Sequence, residues 1–99
     1  MLIIVGTIRF PAEHIAEARI ELGKVVTASR AEDGCEAYAF AEDILDPGLF
    51  HVSERWVDRV ALKAHTTTPH FVAYRAASAA LGVGDRDVRL YEAESFDPL

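Results

Sequence analysis

A chain of 99 residues with a net charge of −6 has room for one domain and excludes two independent cores. Sixteen acidic residues against ten basic ones, with no basic run, disfavour a nucleic-acid partner or an anionic membrane surface, both of which need a positive stripe. Yet 51% of the residues are hydrophobic, while a domain this size buries only roughly 60–65% of its unfolded surface, so the surplus apolar area points to self-association.

Residues 2–10, rich in Ile, Val, Thr and Phe and ending at Pro11, predict a strand. Pro11 suits the first turn of a helix, and Ile15, Ala18, Leu22, Val25 and Ser29 then recur at helical spacing to about Glu32. Gly34 is the candidate C-cap. From Cys35 to Ile44 the chain alternates, with Tyr38 and Phe40 on one face and Cys35, Ala37, Ala39 and Ala41 on the other. Asp46-Pro47-Gly48 is a turn, and residues 49–57 alternate again, which predicts a hairpin over 35–57.

Asp58 is a candidate cap for a short helix to His65. Thr68 and Pro69 restart a helix that runs to Leu81 and is closed by Gly82 and Gly84, and 87–96 reads as a last strand. The order β-α-β-β-α-β predicts a single α+β domain over 1–99 of the ferredoxin-like type, an antiparallel sheet with its helices on one face. The other face then needs a cover, and a second copy of the chain is the simplest one.

The strand 49–57 carries the strongest chemical signal. Phe50, Val52, Glu54 and Trp56 share a face, and a carboxylate between Val52 and Trp56 breaks the apolar pattern in the way functional sites do. Glu54 reads either as an acid or base with a raised pKa or as half of a structural ion pair. Trp56, the only tryptophan, reads as core or as a pocket wall. His65 and His70 flank Thr66-Thr67-Thr68-Pro69. Their five-residue offset misses the i, i+4 spacing of a helical metal pair, so no metal site is expected. A histidine at a helix break is a satisfied polar group or, at a pocket mouth, a proton shuttle.

Cys35, the only cysteine, follows a helix end and reads as structural, and it cannot close an internal disulfide, which favours a reducing compartment. The start Met1-Leu2-Ile3-Ile4-Val5 is too short for a secretory core and lacks a basic flank. No window reaches the about 20 apolar residues of a membrane span. A cytoplasmic location is expected.

Glu32-Asp33-Gly34-Cys35, Asp46-Pro47-Gly48, Glu54-Arg55-Trp56, Ala64-His65 and Thr68-Pro69-His70-Phe71, in this order and spacing, resemble the antibiotic biosynthesis monooxygenase family, especially its small quinol-monooxygenase-like members. The resemblance covers essentially the whole chain. It implies a homodimeric α/β-barrel of two sheets packed face to face, and a cavity partly lined by Trp56, His65 and Phe71. It also implies oxidation of a quinol-like or phenolic aromatic by O₂ without metal, flavin or other cofactor. On that reading His65 is the base or hydrogen-bond partner, Trp56 the aromatic wall and Glu54 the orienter or buried acid. Phe71, His70, Tyr74 and Val52 are the expected substrate contacts.

Other members differ. Haem-degrading relatives carry an asparagine on the first strand, whose place here falls near Gly6 and Thr7, so one member of that set is missing. A small-molecule-binding or stress-response dimer without turnover is the main alternative.

Overall fold

The computed structural model describes residues 1–99. Strand β1, Leu2–Arg9, leads through a 3-10 turn at Ala12–His14 into helix α1, Ile15–Ser29. Strands β2, Cys35–Glu42, and β3, Leu49–Trp56, form the hairpin, followed by helices α2, Arg59–His65, and α3, Pro69–Ala80, and by strand β4, Gly84–Glu92. The four strands lie in the order β2-β3-β1-β4 with every neighbouring pair antiparallel. This is the ferredoxin-like α+β topology that the element order predicts.

Helices α2 and α3 begin where the sequence says they should, for identifiable reasons, whereas α1 starts at Ile15 rather than at Ala12, after the 3-10 turn. The Asp58 side chain accepts from the Ala61 N–H at 2.9 Å, and the Thr68 hydroxyl accepts from the Phe71 N–H at 3.2 Å, each satisfying a backbone donor that the first helical turn leaves free. On α1, the predicted stripe is the buried one: Ala18, Leu22, Val25 and Ser29 are all covered. Ala18, Leu22 and Val25 pack with Ile8, Phe10, Phe50 and Trp56 into the main core.

Three further details differ from expectation. Helix α1 ends at Ser29 rather than near Glu32, because the chain tightens there: the Glu32 N–H bonds the Ser29 carbonyl three residues back. Gly34 then takes a φ of +80°, and a side chain there would collide with Ala61 at 2.6 Å. The turn releases Glu32 from the helix and aims it toward the junction of α2 and α3. Strand β4 starts at Gly84 and ends at Glu92 rather than spanning 87–96, which adds Arg86 to the sheet.

Cys35 is the third correction. An irregularity between Cys35 and Ala37 pairs Cys35 with Trp56 while Ala37 pairs with Arg55. One extra residue in the strand flips Cys35 to the helix-covered face, away from the alanines.

The opposite sheet face has no cover within the chain. Ile3, Val5, Ala37 and Ala39 lie there beside His51, Ser53 and Arg55, which are exposed. Beyond the sheet, Ile44 and Leu45 in the hairpin turn are 96% and 89% exposed, so apolar surface remains outside the core. No helix is long and apolar enough to cross a membrane.

Candidate active site

The site lies where β3 faces the α2–α3 junction. Trp56 is fully buried and its indole N–H donates to Glu54 Oε1 at 2.9 Å. The two residues are neighbours on one strand face, which is what the strand's period of two dictates. Glu54 is 8% exposed. Burial pushes its carboxyl above the ordinary range, opposed by the Trp56 hydrogen bond and by the nearby His65 and Arg86. A carboxylate strengthened in this way accepts a proton from a weak acid more readily than an exposed one does.

His65, at the end of α2, is 1% exposed. Its ring centre lies 4.7 Å from that of Trp56, 4.8 Å from Phe71 and 5.3 Å from Tyr38. Its Nδ1 lies 2.6 Å from Glu32 Oε2, and the same oxygen is 2.8 Å from His70 Nε2. A carboxylate oxygen only accepts, so both imidazoles present an N–H to it. In its neutral form, His65 therefore carries a lone pair on Nε2, and that atom is buried without a hydrogen-bond partner. Thr68 fixes the junction, donating its hydroxyl to the His65 carbonyl at 2.8 Å.

A narrow cleft with about 30 Å³ of free space opens between sheet and helix α3. Of the residues expected to meet a substrate, Glu54, Val52, Phe71 and Tyr74 line it. Trp56 and His65 stand one layer behind, because the Tyr38 ring lies against both and itself forms the wall. His70 is on the outer side of His65, bonded to Glu32. The cleft thus has an aromatic and aliphatic lining with one buried carboxylate, two phenols and the Arg86 guanidinium.

Burial pushes both phenols, Tyr38 and Tyr74, above the usual range, so they remain hydroxyls that can donate hydrogen bonds. Arg86 has no carboxylate within ion-pair distance, unlike Arg9, Arg19, Arg59 and Arg89. The Cys35 thiol is pushed up by burial and by Glu32 and Glu54, which keeps it protonated and unreactive.

Sequence reasoning did not single out Tyr38, Arg86 or Glu32 as site residues. Tyr38 had a legible signal, since it directly faces Glu54 across the hairpin. Arg86 lay just outside the predicted strand. Glu32 is 33 positions from the histidine it binds, a separation that no local pattern reports.

A four-stranded antiparallel sheet with its helices on one face defines a ferredoxin-like α+β protein, here with a buried acid in a largely aromatic and aliphatic cleft. The chain belongs to the antibiotic biosynthesis monooxygenase family, whose model matches residues 1–77.

It is 31% identical over 87 residues to Escherichia coli K12 YgiN, named a probable quinol monooxygenase, covering 78% of this chain and 84% of that protein. It is 41% identical over 58 residues to the Mycobacterium tuberculosis protein Rv0793, also named as a monooxygenase, covering 59% of this chain. The matched stretch spans 56% of Rv0793, and 62% of a further relative from Synechocystis. The crystal structure of a Deinococcus radiodurans protein named as an antibiotic biosynthesis monooxygenase superimposes with a TM-score of 0.92 at 34% identity, over 100% of this chain and 98% of that one.

Proposed function

We propose that the protein is a monooxygenase that oxidises a quinol-like or phenolic aromatic with O₂, with Glu54 as the group that takes the substrate's proton. The observation that carries this reading is the buried carboxylate at the wall of an otherwise aromatic and aliphatic cleft, held by the Trp56 N–H at 2.9 Å. The name of YgiN supports a quinol-like substrate.

A dihydroxyaromatic is a weak acid, and its anion is electron-rich enough to reduce O₂. Glu54 accepts the hydroxyl proton, Tyr38 and Tyr74 donate to the substrate's oxygens, and the rings of Phe40 and Phe71 contact its faces. Arg86 attracts the anion and stabilises its charge. In the net reaction one ring C–H carbon becomes a carbonyl, one oxygen atom enters the product and the other leaves as water. The substrate supplies all four electrons, so the balance needs no separate reductant. His65 sits behind Glu54 and tunes its charge, and the Trp56 N–H holds the carboxylate in place.

The cleft must open to admit a ring. Tyr74 and Arg86 separate it from an outer groove of about 480 Å³ between α3 and β4. Strand β4, which carries Arg86, is an edge strand paired only with β1. Two copies joined through the open sheet faces form the working unit, in the reducing environment that a free Cys35 suits.

The test is oxygen consumption with a panel of dihydroxynaphthalenes. Uptake above autoxidation is expected, with kcat/KM falling about 100-fold or more in Glu54→Gln. Uptake at the autoxidation rate would overturn the reading. Saturable binding of the same compounds with no oxygen uptake would establish a binding protein without turnover instead.

A further inference from the structure

We propose that Glu32, His65 and His70 form a binding site for one divalent first-row transition-metal ion of the zinc type. Their ligand atoms, a carboxylate oxygen and two imidazole nitrogens, all lie within 4.8 Å of one another. Two imidazoles and one carboxylate suit such ions, and three protein ligands leave a position open for water.

The three residues come from three segments that the fold fixes independently. Glu32 stands in the turn that ends α1, His65 ends α2, and His70 lies in the first turn of α3. The offset of His65 and His70 that argued against a helical metal pair does not matter here, because the break at Thr66–Thr68 bends the chain and brings Glu32 in as the third donor. Glu32 Oε2 already touches both histidines, at 2.6 Å and 2.8 Å, and no lysine or arginine competes for it among the ion pairs. Tetrahedral coordination at ordinary zinc distances needs ligand separations of about 3.3 Å. The adjustment falls on Glu32 and His70, whose side chains are 14% and 26% exposed, while the buried His65 stays fixed. The exposed edge of His70 supplies the entry path.

Occupancy changes the chemistry of His65. The ion takes the Nδ1 lone pair, so that nitrogen's proton must leave and a neutral imidazole carries its proton on Nε2. The partnerless buried Nε2 becomes a donor. The proposal stands apart from the reaction proposed above, since its readout is binding.

The probe is Co²⁺, with Zn²⁺ as a silent competitor. Trp56 is the only tryptophan and its ring centre lies 4.7 Å from that of His65, so a paramagnetic ion there quenches its fluorescence. The expected result is saturable quenching at one Co²⁺ per chain, reversed by Zn²⁺. Glu32→Gln and His70→Ala should each weaken binding at least tenfold, with folding checked by circular dichroism. His51→Ala, which removes the separate exposed His51–Asp43 pair, should leave binding unchanged. Absence of saturable quenching in the unaltered protein overturns the proposal. So does an affinity that is unchanged in Glu32→Gln and His70→Ala, or one that is lost in His51→Ala.

Discussion

The raised pKa of Glu54 follows from its burial, and the consequence for stability has a definite sign. A carboxyl whose folded pKa lies above its unfolded value favours the folded state fully below the unfolded value, near 4.5, and loses that contribution as pH rises through the folded one. A glutamine amide in this place keeps an acceptor for the Trp56 N–H but cannot ionise. Glu54→Gln should therefore melt near the wild-type temperature at acid pH and above it at neutral pH, with the gap widening in between. Thermal melts across that range would check this, and a gap that stays constant or narrows would contradict it.

Glu54 was legible in the sequence because a carboxylate on an apolar strand face violates the pattern around it. Residues that sequence reasoning missed share a physical cause. Glu32 meets His65 through a turn geometry set by Gly34 and by packing against Ala61, and a histidine pair read from spacing alone could not include it. Tyr38, although recognised as facing Phe40's side of its strand, gained its role as cleft wall only from where α2 places His65.

At the scale of elements, caps and alternation carried most of the information. Asp58 and Thr68 start their helices as their residue types require, and β3 buries Phe50, Val52, Glu54 and Trp56 in strict alternation. Thr68→Ala should cost about 1 kcal/mol, seen as a melting temperature lower by about 4–8 °C. The same change frees the His65 carbonyl from its hydroxyl partner.

Where alternation failed, backbone detail was responsible. The irregularity after Cys35 is invisible in a sequence of small residues, and it changed that residue's face. The β1–β4 contact is as demanding: a Cβ at Gly6 would lie 2.0 Å from the Asp87 carbonyl oxygen. Gly6→Ala should force β4 away and destabilise the fold by about 3 kcal/mol, measurable by urea unfolding.

For the whole molecule, the apolar surplus noted from composition has a location. Only 16 of 99 residues are buried, and one face of the sheet is uncovered, with Ile3, Val5 and the β2 alanines along it. Sheets packed face to face in a homodimer would cover it. Light scattering should then give about twice the 10.9 kDa chain mass, and a monodisperse monomer at micromolar concentration would contradict the dimer. The topology was readable from element order because each connection is short, whereas the cleft was not, since its walls come from all four strands and α3 at once.

The central claim is that Glu54 deprotonates a hydroxyaromatic in this cleft so that it can reduce O₂. Its most direct measurement is oxygen uptake under ¹⁸O₂ by wild type and Glu54→Gln with one dihydroxynaphthalene. One ¹⁸O atom is expected in each product molecule, with a kcat/KM at least about 100-fold lower in the variant. Equal rates in the two proteins would contradict it.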